Sequence, residues 1–314
     1  MRKIQIHRNR LEWKILIMAG IVFWIGSIWS TSSEAAVREV CKVGCTYSLP
    51  SDAIAEATNG DTILIHSGTY METGTISITK SLKIVGDNPI NTKISNSNST
   101  VFIINTSITI SVEIAGLQIT GGLNGVNVNA AGNNSSVILH HNHIIYNKGN
   151  GITVGSWYGE FVAFNNAILS NDGKGINGSS LSYPTEVIYN NIIAHNTSNG
   201  YYYVGVASYN SSYSNGAADI ATSKIGNISL DCLFVDNLSG DYRLQPGSPC
   251  KDTGDPGYID VDGTRSDIGS FGGPAAAAFW PYLDVGPVIT DLTVDPVIVP
   301  RGGTLSITVT GEIR

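Results

Sequence analysis

The sequence predicts an all-β protein built as a right-handed parallel β-helix, and three observations carry that prediction. A motif that starts with Asn and closes with Gly recurs at a near-constant step along the chain. Each copy holds apolar runs of only a few residues, which are too short for helices. With 35 Gly and only 14% charged residues among 314, the composition suits many short strands joined by tight turns.

The repeat is clearest in three segments that begin at Asn142, Asn166 and Asn191. The steps are 166 − 142 = 24 and 191 − 166 = 25 residues. A second Asn keeps the same step, at positions 147, 171 and 196. Periods of this length indicate stacked supersecondary units. Leucine-rich repeats need regular Leu spacing and propeller blades need a longer period, so a coil of short strands fits best.

We expect both sets of Asn to form columns along the coil. Polar groups at buried turns need hydrogen-bond partners, and stacked side-chain amides can supply them from coil to coil. These residues are therefore predicted to be structural rather than catalytic.

The N-terminus has the pattern of a secretory signal. Five Lys and Arg residues at positions 2–14 precede an apolar stretch at 15–29, and small residues follow at Ser33 and Ala35. We expect residues 1–35 to be a signal peptide and the protein to be secreted or at the cell surface. The alternative is an uncleaved anchor, because Trp24 and Trp29 favour membrane interfaces.

The charge of the remaining chain restricts its partners. Without residues 1–35 there are 18 − 5 = 13 basic and 25 − 2 = 23 acidic residues, a net charge of −10. Phosphate backbones repel such a surface, so nucleic acid is not an expected partner. We expect a monomer that meets a membrane only through its N-terminal segment, if that segment is retained.

The four cysteines lie at opposite ends of the main domain, at Cys41, Cys45, Cys232 and Cys250. An even number in an exported chain indicates disulfides. We expect Cys41–Cys45 and Cys232–Cys250, each closing one end of the coil. Reduced thiols or a metal site are the alternative, and the lack of a His at zinc-like spacing beside the cysteines argues against a metal.

Residues 37–275 are predicted to form the β-helix. It opens with a short helix that has Ser51 as a candidate N-cap and an apolar face of Ala53, Ile54 and Ala57, placed to cover the edge of the first coil. A linker at 276–287 leads to alternating residues at 288–314, which predict the start of an immunoglobulin-like β module. We expect that module to be incomplete, since a sandwich needs about 100 residues. The alternative is that these strands pack elsewhere.

Both ends of the main domain carry a family resemblance. The segment that begins at Asp52, with Gly60-Asp-Thr-Ile-Leu-Ile and Gly68-Thr-Tyr, resembles the first coils of pectate-lyase-like β-helix proteins. Residues 233–271 look like the closing segment of bacterial secreted β-helix repeat proteins. The resemblance implies a surface that lies along a polysaccharide or cell-wall glycan. The superfamily includes lyases, hydrolases and non-catalytic adhesins, so it leaves the activity open.

Catalytic residues are weakly marked. Glycoside hydrolases need paired carboxylates, and no pair is visible in register among the few central ones, which we expect at the solvated surface: Glu113, Glu160, Asp172, Glu186 and Asp219. A lyase needs a base, for which Lys148 and Lys174 are the central candidates and His141 is a further one. Asp172 is a catalytic candidate through its register with Lys148.

Register refines these candidates. Lys148 and Asp172 lie 172 − 148 = 24 residues apart, which places them at one turn of adjacent coils as a salt bridge or a sugar-facing pair. His141 matches Asn165 and Asn190, an exposed-turn position. It is preferred to His143, which we expect to point inward.

Aromatic residues give the binding prediction. Trp157 and Tyr158 lie in a longer excursion, and Tyr201, Tyr203 and Tyr209 fall near the same place in later coils. Aromatic faces along the coil suit sugar rings; the alternative is an aromatic cap over a core. The leading hypothesis is a secreted or cell-surface β-helix protein that engages polysaccharide, as a polysaccharide lyase or glycoside hydrolase if it is an enzyme. The alternative is a non-catalytic adhesin or extracellular structural module.

No cofactor is required by these patterns, but Ca²⁺ is an option. Its candidate ligands are Asp252, Asp255, Asp260 and Asp262, because Ca²⁺ prefers clustered oxygens. A turn network in which Arg265 bridges carboxylates explains the cluster equally well.

Overall fold

The computed structural model describes residues 35–105, 107–129, 134–155, 159–179 and 186–280, and the strand backbone at 288–295 and 306–312. The expected signal peptide lies outside these residues, apart from its last position. In the described part of the chain, no helix has the length and apolar character needed to cross a membrane.

Short strands dominate the chain. The first part contains β1 (Val37–Val40), α1 (Pro50–Glu56), β2 (Thr62–Ile65), β3 (Gly68–Met71), β4 (Ile76–Ile78), β5 (Leu82–Gly86), β6 (Thr92–Ser95) and β7 (Phe102–Asn105). The centre contains β8 (Ser111–Ala115), β9 (Gln118–Thr120), β10 (Val126–Asn129), β11 (Ser136–His140), β12 (His143–Ile145), β13 (Ile152–Val154), β14 (Glu160–Phe164), β15 (Ala167–Leu169) and β16 (Ile176–Asn177). The last part contains β17 (Glu186–Tyr189), β18 (Ile192–Ala194), β19 (Tyr201–Tyr202), β20 (Val204–Ser208), β21 (Ser211–Tyr213), β22 (Ala221–Ile225), β23 (Phe234–Asp236), β24 (Asp241–Leu244), a 3₁₀ helix at Ala276–Ala278, β25 (Val288–Asp295) and β26 (Ser306–Glu312).

Three parallel sheets form the walls of a β-helix, which confirms the predicted fold class. Sheet A has the order β1-β2-β5-β8-β11-β14-β17-β20-β22, sheet B has β3-β6-β9-β12-β15-β18-β21, and sheet C has β4-β7-β10-β13-β16-β19. The chain thus visits sheets A, B and C in turn and then starts the next coil. Neighbouring strands of one sheet come from successive coils, as the repeat predicts.

A shared interior holds the coils together. Register places Ile144 beside Ile168 and Ile168 beside Ile193, and all three are fully buried in the same core. One coil alone could not bury such side chains. Each of them contributes roughly 1.5–3 kcal/mol when its neighbours cover it.

The Asn columns are confirmed at the corner between sheets A and B. The Nδ2 of Asn142 donates to Oδ1 of Asn166 at 3.1 Å, and Asn166 donates in the same way to Asn191 at 2.9 Å. The column continues through Asn210 and Asn227, where the step between residues shortens to 19 and 17.

A second column follows sheet B. It joins the expected Asn147, Asn171 and Asn196 and adds Asn215. The three added members of the two columns, Asn210, Asn227 and Asn215, break the regular step, so the repeat alone does not reveal them.

The connections from sheet C to sheet A vary in length while these columns stay intact. β10 and β11 are joined by 136 − 129 − 1 = 6 residues and β13 and β14 by 160 − 154 − 1 = 5. The next connection has 186 − 177 − 1 = 8 residues, and the last consists of Tyr203 alone. The coil therefore changes its length chiefly along one edge.

The C-terminal lobe, residues 230–280, covers the outer face of sheet B. Outward residues such as Ile145, Leu169 and Ile192 form a second buried core with lobe residues such as Tyr242 and Trp280. This explains why β12, β15 and β18 are buried at every position. One face of each strand meets the interior and the other meets the lobe.

Two details of the predicted boundaries differ. Helix α1 begins at Pro50 and its N-cap is Leu49, so Ser51 is not the cap. The backbone N–H of Ser51 donates instead to Glu72 Oε1 at 3.1 Å. Ala53, Ile54 and Ala57 are buried in the interior core. The body extends beyond residue 275, because Phe279 and Trp280 pack into the second core.

Both expected disulfides are present, Cys41–Cys45 and Cys232–Cys250. β25 and β26 pair antiparallel as a hairpin. An immunoglobulin-like module built on that hairpin stays a prediction.

Candidate functional site

His141 is buried, not exposed as its turn position suggested. Its side chain is 0% exposed, and its Nε2 donates to the carbonyl of Gly272 at 2.9 Å. Burial is the main cause that lowers the pKa of His141 to about 3, with the nearby His140 adding to the effect. A neutral imidazole under residues 266–280, which we call the closing strap, cannot reach a polymer on the surface.

His143 also departs from expectation, because it points away from the interior. Its Nε2 lies 2.9 Å from Ser270 Oγ, and its ring meets the edge of Tyr242 with centroids 4.8 Å apart. Complete burial lowers its pKa to about 3. It belongs to the contact between sheet B and the C-terminal lobe.

A chain of polar contacts runs from His141 to solvent across the outer face of sheet A. The Nδ1 atoms of His141 and His140 lie 2.9 Å apart, and His140 Nε2 lies 3.3 Å from Glu113 Oε1. Lys83 Nζ pairs with Glu113 Oε2 at 2.9 Å. The Gly272 carbonyl can only accept, so His141 carries its proton on Nε2. The Nδ1 atom of the neutral His141 ring is then the acceptor in its contact with His140 Nδ1.

This network fixes the charge of Glu113. The hydrogen bond from His140 and then that from Lys83 outweigh partial burial and lower the pKa of Glu113 to about 2. The side chain therefore remains a carboxylate with both oxygens engaged. It is unsuited to the role of a general acid, which must hold a proton near neutral pH.

The candidate bases Lys148 and Lys174 are not joined to Asp172. Lys148 Nζ donates to the carbonyl of Ser97 at 2.5 Å, and no ion pair links it to Asp172 in the described chain. Lys174 Nζ lies over the ring of Tyr202, 4.5 Å from its centroid. His141 sits at a different corner, so the four weak catalytic candidates do not form one site.

The expected aromatic groove is also dispersed. Trp157 and Tyr158 lie outside the described residues, so their role stays a prediction. Tyr201 is 2% exposed and belongs to the interior core. Tyr209 lies at the corner between sheets A and B, where the Cζ of Arg265 is 5.5 Å from the centroid of its ring. Tyr203 remains at the surface, 36% exposed.

A different set of side chains lines up on the outer face of sheet C. Register places Asn127 beside Thr153, Thr153 beside Asn177, and Asn177 beside Tyr202. Alternation along each strand sends their neighbours, such as Val126 and Val128, into the interior. We call these four residues the polar column.

The polar column has hydrogen-bonding capacity to spare. Thr153 Oγ1 accepts from Asn150 Nδ2 at 3.0 Å and keeps its own hydroxyl hydrogen. Asn127 Oδ1, by contrast, is shielded from solvent and accepts no hydrogen bond from the described residues, so this atom is not available to a ligand on the surface. All four side chains are half-buried, and successive ones stand about 4.8 Å apart along the coil.

Two tyrosines and a lysine lie together at one end of this face of sheet C. The rings of Tyr202 and Tyr203 lie 4.0 Å apart, and Lys174 covers the ring of Tyr202. Amides, a hydroxyl, two phenols and one ammonium group can donate and accept hydrogen bonds and offer ring faces to an uncharged, hydroxyl-rich chain.

A cleft of ≈ 340 Å³ lies between residues 88–91 and the C-terminal lobe. Its walls include Phe271, Phe279 and Trp280, and Asp241 and Arg243 stand at its side. Those two charges pair with each other at 2.6 Å, and the Trp280 ring is only 7% exposed. The cleft therefore offers less free polar chemistry than the polar column.

The acidic residues of the lobe hold turns. Asp260 accepts from the N–H groups of Asp267 and Gly273, and Asp262 accepts from Thr264. The expected bridging role of Arg265 is wrong, because its guanidinium donates to the carbonyls of Gly254 and Thr253. Asp252 and Asp255 lie in the same set of turns, and calcium binding by this cluster stays a prediction.

Glu186 is not the solvated carboxylate that was expected. It is 1% exposed, because it pairs in register with the interior residue Phe161. Its Oε1 accepts from Ser179 Oγ at 2.8 Å, and burial raises its pKa. Such a position offers no access to a polymer.

The polar column was missed although the repeat contains the signal for it. Its steps are 153 − 127 = 26, 177 − 153 = 24 and 202 − 177 = 25 residues, the same period as the Asn columns. The residue types differ at each step, so a search for identical residues does not detect them.

Comparisons with known proteins add little to this description. No family model matches the chain, and no curated protein matches it. Among solved structures, a crystal structure of pectate lyase Pel9A is similar with a TM-score of 0.36 and 13% identity, over 76% of this chain and 96% of that chain. The strand pairing of the chain itself makes it a parallel β-helix protein.

Proposed function

We propose that this protein is an extracellular β-helix module that binds a polysaccharide along the outer face of sheet C. The polar column carries the proposal, because it places Asn127, Thr153, Asn177 and Tyr202 in a row parallel to the long axis. An extended polymer lying on that row meets one side chain per coil. The two disulfides suit an oxidising location outside the cell.

Binding is favoured over cleavage by the state of the titratable groups. His141 and His143 are buried and neutral, and Glu113 is held as a carboxylate by His140 and Lys83. None of these three groups stands on the polar column. A lyase or glycoside hydrolase is therefore the second candidate, and a non-catalytic adhesin or structural module is the first.

Charge selects the class of glycan. The chain carries a net charge of −7, and the polar column has Lys174 as its neighbouring cation. A neutral or weakly acidic polysaccharide suits that surface better than a densely anionic one, which the overall charge repels.

Glycan-array binding with matched variants tests the site. We expect Tyr202→Ala and Asn177→Ala each to weaken binding by about tenfold or more, as for residues central to an interface. Tyr146→Ala and Asn237→Ala are the controls, since both residues are exposed and lie away from sheet C. Equal affinity in all four variants would exclude the polar column.

A product assay separates binding from cleavage. The best ligand from the array is incubated with the protein, and new reducing ends and unsaturated uronates are measured. Binding without product supports the non-catalytic module. Product formation that persists in Tyr202→Ala would place an active site elsewhere and overturn the proposal.

A further inference from the structure

Several metal-ligating side chains meet at the N-terminal end of the coil. Strands β1 and β2 pair so that Val40 lies beside Ile65, and the His66 N–H donates to the Val40 carbonyl at 2.9 Å. The residues that follow each strand end, Cys41 and His66, are thereby neighbours in successive coils. The step is 66 − 41 = 25 residues, that of the repeat itself.

Distances support a common centre. Glu39 Oε2 lies 3.8 Å from His66 Nε2. In the described part of the chain, the side-chain ligand atoms of Glu39, Cys45 and His66 all lie within 4.8 Å of one another. These three ligands need only modest tightening to reach a zinc ion at about 2.0–2.3 Å each. Cys41 Sγ is not one of the three; it lies 2.04 Å from Cys45 Sγ in the disulfide.

A carboxylate lies beside the imidazole of His66. Asp87 Oδ1 lies 3.3 Å from His66 Nδ1, while Asp87 Oδ2 accepts from Ser67 N at 2.7 Å. A proton on Nδ1 leaves Nε2 free and directed at Glu39. Metal-binding histidines are commonly held by a carboxylate on the second ring nitrogen in this way.

The disulfide is the obstacle to metal binding in the oxidised protein. Cys41 and Cys45 are bonded to each other, and a disulfide sulfur is not a thiolate ligand. With three residues between them, the two cysteines have the Cys-x₃-Cys spacing found in structural zinc sites.

We propose that reduction of Cys41–Cys45 creates a zinc site of two thiolates, His66 and Glu39, with Asp87 positioning the imidazole. A thiol reductant supplies the two electrons and two protons: the S–S bond breaks, two R–SH become R–S–S–R, and Cys41 and Cys45 become thiols. Binding of the divalent ion then releases the two thiol protons to solvent. His66 is 36% and Glu39 57% exposed at their side chains, so the ion has access.

The site is tested with Co²⁺ and Zn²⁺ chlorides on the full chain. Reduced protein is expected to bind one equivalent of Co²⁺ with thiolate charge-transfer bands and a tetrahedral spectrum, which added Zn²⁺ abolishes. Oxidised protein should give neither signal. Asp87→Asn should weaken binding by about 10–100-fold, and His66→Gln by more. His195→Gln, another exposed histidine, is the matched control.

A variant that needs no reductant keeps the test independent of the second disulfide. Cys41→Ser leaves Cys45 as a free thiol beside His66 and Glu39, with Cys232–Cys250 intact. It should bind Co²⁺ without reduction, whereas Cys45→Ser/Cys41→Ser should not. The proposal is overturned if Cys41→Ser and reduced wild type bind no tighter than the double variant, or if His66→Gln leaves the spectrum unchanged.

Discussion

His141 and Asn165 occupy the same corner of successive coils, and both hold the closing strap. Their φ angles are 53° and 48°, in the left-handed region. His141 Nε2 donates to Gly272 O at 2.9 Å, and Asn165 Nδ2 donates to Gly269 O, also at 2.9 Å. Asn190 extends the row by accepting from Asp255 N at 2.7 Å. The left-handed corner thus directs a line of side chains outward, where the lobe binds them.

Replacement of His141 by Ala should destabilise the protein by about 3 kcal/mol, because it leaves the Gly272 carbonyl unpaired and opens a cavity under the strap. His195→Ala is the matched control: His195 has φ 58° and is exposed. Both variants carry the same backbone cost, so the difference between their urea unfolding midpoints reports the strap contact. Similar midpoints would contradict the role assigned to His141.

Asn166→Ala should cost about 3 kcal/mol or more, because it interrupts the buried part of the first Asn column between Asn142 and Asn191. Asn166 Nδ2 donates to Leu139 O and Asn191 Oδ1, each at 2.9 Å, and these buried acceptors would lose a partner. Asn227→Ala, at the half-buried end of the column, should cost about 1 kcal/mol. Thermal unfolding of the two variants measures the difference, and an equal loss would refute a cooperative column.

Asp267→Asn should stabilise the protein at pH 8. Burial first, and then the charges of Asp260 and Asp252, raise the pKa of Asp267 from 3.8 to about 7. The folded state therefore binds this proton more tightly than the unfolded state, so the associated stability is greatest below about pH 4 and is lost as the pH rises towards 7. In the wild type, Asp267 Oδ1 accepts a hydrogen bond from Asp252 N at 2.7 Å. The Asn side chain of the variant keeps an Oδ1 atom that can accept the same hydrogen bond.

Melting temperatures between pH 4 and pH 8 check this effect. The variant should show a flatter profile than the wild type over that window. Asp262→Asn serves as the contrasting control, because hydrogen bonds from Thr264 lower the pKa of Asp262. Its stabilisation is present above pH 3.8 and lost on acidification, so this variant should be less stable at pH 8. Parallel profiles for Asp267→Asn and wild type would exclude the assigned cause.

Calcium binding by the lobe is tested in the same experiment. If the carboxylates of Asp252, Asp255, Asp260 and Asp262 bind Ca²⁺, added calcium chloride should raise the melting temperature at pH 8, since a ligand of the folded state stabilises it. The chelator EDTA should reverse the rise, and Asp252→Asn should reduce it. A melting temperature indifferent to calcium at millimolar concentration would leave these residues with a structural role only.

The fold was predictable because it depends on a period. Asn142, Asn166 and Asn191 differ by one coil each, and that spacing alone predicted both the parallel pairing and the amide contacts. The surroundings of His141 and His143 were not predictable in this way. They are set by residues 266–280, which do not repeat and which lie more than a hundred positions away.

The same distinction applies to the sites. Tyr201 and Tyr202 are adjacent in sequence, but strand alternation buries the first and places the second on the polar column. His66 has no local spacing that marks it as a partner of the cysteines, since only the step of one coil, 66 − 41 = 25 residues, brings it beside Cys41. The strand register relates Tyr202 to Asn177 and His66 to Cys41, because the members of each pair lie one coil apart.

The unequal connections between sheets C and A have a practical meaning. One to eight residues bridge equivalent strand ends, yet the amide columns on the other corners keep their contacts. Length at this edge is therefore free to vary, and foreign peptides should be accepted there without disturbing the scaffold. Several such grafts, one per coil, would stand side by side at the spacing of neighbouring strands, about 4.8 Å.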